Sequence, residues 1–233
     1  MKRIGIVGGL SPESTLDYYR LLISKCRKRG MGHTYPVIII YSVNFQECMD
    51  QMESGDSEGL TANLDHAIRC LYNAGANFAL ISANTPHIVF DSVAAHSLIP
   101  LLSIVVETGK VAQRLGLKKV GLFGTGVTMR EKFYPKTFSE KFGISIVVPE
   151  EKDQDFIHKS IISELTAGRI KETTRQKMVE IAEGMVEQDS IEGLILGCTE
   201  LPLILSERFL NIPVLNTTKI HVEAALAYAL GEK

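Results

Sequence analysis

IGIVGG, from Ile4 to Gly9, recurs as VGLFGT, from Val120 to Thr125, and this pair organises the chain. Each is a short apolar run stopped by glycine, the composition of a parallel strand buried on both faces. Outward from it, FALISANTP (Phe78 to Pro86) is matched by GLILGCTELP (Gly193 to Pro202). IPLLS (Ile99 to Ser103) is matched in turn by IPVLN (Ile212 to Asn216). The spacing agrees as well as the order: 78 positions separate Gly5 from Ala83, and 77 separate Gly121 from Cys198. Buried strands share composition, so any two βα units look somewhat alike. Three matched segments in the same order at nearly equal spacing are better explained by an internal duplication.

The spacing predicts strands over 3–7, 37–43, 78–82, 101–104, 120–123, 144–148, 193–197 and 214–216. Between them helices are predicted over 12–29, 59–74, 108–115, 173–189 and 219–230. Ser11 reads as the N-cap of the first, with Pro12 at its first position and Gly30 beyond a basic last turn. The expected fold class is α/β: two similar lobes, each a mostly parallel sheet flanked by helices, related by a pseudo-twofold axis with the site between them. Residues 1–103 plus 214–233 would form the first lobe, with the C-terminal helix packed back on it, and 104–213 the second. Open α/β sheets bind ligands beyond the carboxyl ends of their strands. Position 83 is therefore expected to face position 198.

Bulk properties narrow the ligand. Of 233 residues, 45% are hydrophobic and 22% charged, enough to bury a core. A net charge of -2 gives no pull toward nucleic acid or an anionic membrane, so a small molecule is expected. The opening run breaks at Gly8-Gly9 and meets Pro12, unlike a signal peptide, and Val37 to Tyr41 is too short to span a bilayer. Cys26, Cys48, Cys70 and Cys198 stand singly and read as free thiols of a cytoplasmic protein. The histidines form no HxxxH or HExxH pair, so no metal is expected. Gly5 to Gly9 and Gly124-Thr125-Gly126 lack both GxGxxG and GxxxxGK[ST] spacing, which argues against a nucleotide loop.

The two strand-to-turn segments carry the chemistry. Ser82, Ala83, Asn84 and Thr85 end one strand; Gly197, Cys198, Thr199 and Glu200 end the other. Backbone N–H groups at such turns cradle a carboxylate, and Asn84, Thr85 and Thr199 add donors, although the same residue types also cap helices. A thiol at a helix start is expected to have a depressed pKa, which would make Cys198 a usable base. The small-hydrophobe reading suits Cys26, Cys70 and Cys48. Glu47 reads as a loop acid that could sense the substrate's amino or side-chain group, and His87 as a satisfied structural histidine.

These segments resemble the aspartate/glutamate racemase superfamily. Gly197-Cys198-Thr199-Glu200 is similar to its second-half signature, and Ser82-Ala83-Asn84-Thr85-Pro86-His87 to its first-half Cys-Asn-Thr signature. Ile4 to Thr15, with its Gly-Gly turn before Pro12-Glu13, resembles the aspartate racemase branch, and the match extends to Phe123-Gly124-Thr125 and Ile220-His221. The resemblance implies an isomerase of amino-acid metabolism that needs neither pyridoxal phosphate nor another cofactor. Its substrate would be an acidic amino acid, aspartate or glutamate, and its assembly a homodimer. One thiol removes the α-proton and an opposite thiol reprotonates the carbanion. Asn84, Thr85 and Thr199, with Ser11 and Thr125 more weakly, would hold the carboxylate.

The sequence departs from that pattern at Ala83, where the first thiol belongs; a methyl group carries no proton. Cys198 is then the lone acid–base thiol, and the activity weakened or one-sided. Other readings stay open: Ala83 as a replacement that traps substrate, an arylmalonate-type decarboxylase with only the second-half cysteine, or a non-catalytic binder of acidic amino acids. Thr166, by alignment, stands where some aspartate racemases carry a lysine for the distal carboxylate.

Overall fold

The computed structural model describes residues 1–232. By its internal contacts the chain divides into two compact units, Met1–Glu107 with Thr218–Lys233, and Thr108–Thr217.

Unit 1 is built on four parallel strands, β1 (Ile4–Gly8), β2 (Ile38–Ser42), β3 (Phe78–Ile81) and β4 (Leu101–Leu102), in the order β2-β1-β3-β4. Every residue of β1 and β3 is buried, and alternate side chains serve opposite faces. Val7, Ala79 and Ile81 pack with Leu60, Leu64, Ala67 and Leu71 of α3 (Ser57–Asn73). Ile4, Ile6, Phe78 and Leu80 pack with Tyr18 and Leu22 of α1 (Pro12–Lys28) and with Val222 and Leu226 of the last helix. Two further helices, α2 (Phe45–Ser54) and α4 (Phe90–His96), complete the unit.

Unit 2 repeats the plan: β5 (Lys119–Gly124), β6 (Ser145–Val147), β7 (Leu194–Gly197) and β8 (Val214–Asn216) lie parallel in the order β6-β5-β7-β8. The two sheets share one topology, as the repeated segments require. Phe123, Leu194 and Leu196 pack against Ile157 and Ile161 of α8 (Glu151–Ser163) and Met178 and Ala182 of α9 (Glu172–Asp189). The short α6 (Gly126–Arg130) and α7 (Phe133–Phe142) fill the remaining connection. Two helices carry the chain between units: α5 (Ile104–Arg114) runs out of unit 1, and α10 (Thr217–Leu230) runs back into it. Among the described residues no helix is long and apolar enough to cross a membrane.

Two expectations change. The fourth strand stops at Leu102 and does not reach Ile104, because the Ser103 hydroxyl accepts the Val106 N–H at 3.3 Å and starts a helix. Glu47 is not on a loop: Asn44 caps α2 by accepting the Gln46 N–H at 3.1 Å, and Glu47 sits in that helix's first turn.

Candidate active site

In unit 1 the predicted residues follow the carboxyl ends of adjacent strands. Gly9 turns the chain after β1 at φ +84°, and a Cβ there would lie 2.5 Å from the Val43 carbonyl oxygen, so only glycine fits. Its N–H donates to Thr15 Oγ1 at 2.8 Å, and Ser11 caps α1 by accepting the Ser14 N–H at 3.3 Å. After β3, the Ser82 hydroxyl donates to the Val7 carbonyl at 3.0 Å, and Ser14 Oγ donates to the Ser82 carbonyl. The Ser82 hydroxyl is therefore engaged inside the sheet and is no substitute for a thiol at position 83. Ala83 is buried with the apolar residues of that face. Asn84 is buried and Thr85 half-buried. Asn84 precedes the 3₁₀ turn Thr85–Val89, and its side chain makes no capping bond there.

His87 anchors this turn from behind. Its Nδ1–H donates to the Ala83 carbonyl at 2.9 Å, Nε2 accepts the Ile104 N–H at 3.1 Å, and the ring stacks on Phe90. Burial, reinforced by nearby His221, lowers its pKa to about 3, so the imidazole is neutral. His221 on α10 is also neutral, lowered by burial to about 4. It accepts from the Tyr18 hydroxyl at 2.9 Å and donates through Nε2 to the Leu102 carbonyl at 3.0 Å. His87 is thus a satisfied structural histidine.

In unit 2, Thr125 follows β5 and caps α6, accepting the Thr128 N–H at 3.3 Å, which repeats the Ser11–Ser14 cap in the other unit. After β7 come Cys198, 9% exposed, and the half-buried Thr199. The Cys198 thiol donates to Glu200 Oε2 at 2.9 Å, and the Thr199 hydroxyl donates to the same oxygen at 2.7 Å.

This geometry corrects the expected acidity of Cys198. Burial first, and then the charge and hydrogen bond of the Glu200 carboxylate, push the thiol well above its ordinary range, against the smaller opposing effect of the Thr199 and Glu200 N–H groups. The helix dipole that would depress it is not built. Pro202 follows Leu201, and the chain forms only the 3₁₀ turn Leu201–Leu203. Pro86 has the same place in the Thr85–Val89 turn. Glu200, part of the quoted motif, received no role from the sequence, because only the fold shows its carboxylate turned back on the thiol. Of the remaining cysteines, Cys26 and Cys48 are buried and Cys70 is partly exposed on α3. Thr166 is exposed and donates to the Ile162 carbonyl at 2.7 Å. Glu47 is exposed and lines a cavity at the end of β2.

Comparisons with known proteins bear on the family and the fold. The chain is 27% identical over 238 residues to the broad specificity amino-acid racemase RacX of Bacillus subtilis (strain 168), covering 97% of this chain and 99% of the relative. The crystal structure of an aspartate racemase homologue from Pyrococcus horikoshii OT3 superposes with a TM-score of 0.88 at 38% identity, over 99% of this chain and 100% of that one. Picrophilus torridus aspartate racemase shares the fold at a TM-score of 0.77 and 24% identity, over 100% of this chain and 96% of that one. The family model of Asp/Glu/hydantoin racemases matches residues 7–225, nearly the whole length, and the chain belongs to that family.

Proposed function

We propose that this protein is an amino-acid racemase that works without pyridoxal phosphate, with the Cys198 thiol as its acid–base group at the substrate's α-carbon. The observation that supports this most is the Cys198–Glu200 hydrogen bond, which gives the thiol proton a defined acceptor at 2.9 Å. Proton transfer to Glu200 leaves a thiolate able to take the α-proton; the resulting carbanion is held as an enolate while its carboxylate oxygens accept hydrogen bonds. Asn84, Thr85 and Thr199 are proposed as the principal donors, with Ser11 and Thr125 at their helix caps as weaker ones.

Ala83 leaves one proton-carrying side chain where the resemblance implies two. Return of the proton to the other face then falls to water, so exchange of the α-proton outruns inversion. Aspartate and glutamate are the substrates implied by resemblance, and a homodimer the assembly. The test is α-proton exchange in D₂O by NMR, with no cofactor added and inversion followed by chiral chromatography. L-enantiomers are expected to exchange with slow appearance of the D-form. Cys198→Ala is expected to lower exchange by about 10²–10⁴-fold with the fold intact, and Ala83→Cys to raise inversion. Exchange that survives in Cys198→Ala overturns the role of the thiol.

A further inference from the structure

A cavity of about 590 Å³ opens on unit 1 at the carboxyl end of β2, lined by Tyr41 of that strand, Glu47 and Gln51 of α2, and Asn63 and His66 of α3. Glu47 and Gln51 are four residues apart and so share a helix face. Glu47 carries the only formal charge in the lining besides the ionisable His66, and no lysine or arginine is among the described residues that line it. Gln51 Oε1 is buried with no hydrogen-bond partner. Neighbouring amides are already engaged: Asn44 accepts the Gln46 N–H at 3.1 Å, and Asn63 Nδ2 donates to Cys48 Sγ at 3.5 Å. What Glu47 and Gln51 offer a ligand is thus a carboxylate and an unmet amide oxygen, both acceptors, beside the Tyr41 and Ser42 hydroxyls and the His66 ring.

An acidic side chain brought here would meet the Glu47 carboxylate and leave Gln51 unsatisfied; an ammonium or guanidinium would meet both. Distance points the same way. The cavity lies at the end of β2, and the Asn84–Thr85 turn at the end of β3, with β1 between them. At ~4.8 Å per strand, the two are about 10 Å apart. A substrate whose α-carboxylate is held at that turn reaches Glu47 only through a side chain of several methylenes.

We infer that this cavity is the substrate's side-chain subsite and that it takes a cationic nitrogen on a long side chain, with Glu47 as the specificity-determining residue. The inference rests on the racemase reading for where the α-carbon lies, and it replaces the acidic substrate implied by resemblance. It is tested by α-proton exchange with L-lysine, L-arginine, L-norleucine and L-glutamate, in the wild type and in Glu47→Gln and Glu47→Lys, with calorimetric binding of lysine and norleucine alongside. Glu47 is exposed, so both variants are expected to fold. Lysine is expected to exchange at least about tenfold faster than norleucine; Glu47→Gln should erase that ratio, and Glu47→Lys should favour glutamate. Equal handling of lysine and norleucine by the wild type, or a ratio that survives Glu47→Gln, overturns the subsite, and the racemase reading stands if any amino acid exchanges. Absence of exchange with Glu47-dependent lysine binding supports the subsite and removes the racemase reading. Neither exchange nor binding removes both.

Discussion

Cys198 and Glu200 are two positions apart, and the acidity of the thiol is set by both. Burial and the Glu200 carboxylate raise it, so in the resting protein the sulfur holds its proton. In Glu200→Gln the charge disappears and burial remains. The thiol pKa is therefore expected to fall, while exchange, deprived of the acceptor for the thiol proton, is expected to slow and to follow the fraction of free thiolate as pH rises. Thiolate ultraviolet absorbance followed through a pH titration reads the first effect and NMR exchange the second; an unmoved titration would mean that burial alone sets the thiol. The Cys-Thr-Glu segment was legible in the sequence, as was the loss of a thiol at position 83. The direction of the pKa shift was not. A strand-to-helix turn reads as a positive dipole end, whereas Pro202 limits the next segment to a 3₁₀ turn and the carboxylate folds back toward the sulfur.

At the scale of elements, the strands were read more completely than the helices. Buried parallel strands write themselves as apolar runs, and β1, β3, β5 and β7 are such runs. The helix α2 was harder: Phe45, Cys48, Met49 and Met52 do fall at i, i+3, i+4 and i+7, but in a ten-residue segment that is otherwise polar the pattern is short, and only the fold shows Asn44 capping it. Helix α5 hides a contact that no periodicity reveals. A Cβ on Gly109 would come within 2.1 Å of the Phe142 ring on α7. Alanine there gains about 1 kcal/mol in helix propensity, against about 1–3 kcal/mol for overpacking. Gly109→Ala is thus expected to be destabilising by about 1 kcal/mol, a fall of about 2–4 °C in Tm. Thermal denaturation checks it, and Phe142→Leu should relieve the loss. An unchanged or raised Tm would mean that the ring yields freely.

For the molecule as a whole, the buried histidines set a pH limit. His87 and His221 are neutral in the fold, at about 3 and about 4, whereas an unfolded histidine titrates near 6.5. Above about pH 6.5 neither state binds these protons and stability is flat with respect to them. As pH falls below that value, the unfolded chain takes up protons that the folded one refuses. Stability is then lost, by about 1.4 kcal/mol per pH unit for each imidazole at most, until pH reaches the folded values. Urea unfolding between pH 7 and pH 4 is expected to show this decline, and His221→Gln to flatten part of it. A curve equally steep in that variant would assign the acid lability to other groups. The sequence reads His87 as a satisfied structural histidine but does not show its partners, because Tyr18, His87, Leu102 and His221 are brought together only by the tertiary fold.

The path of the chain has a consequence for biosynthesis. Unit 2 is inserted between the first 107 residues of unit 1 and its closing helix, α10, whose Val222, Ala225, Leu226 and Ala229 cover Ile4, Ile6, Phe78 and Leu80. During synthesis that face of the first sheet is therefore covered by α1 alone until α10 is added, and the part translated first is the last to finish folding. Until then the apolar strip between α1 and the missing helix is the surface a nascent-chain chaperone would find.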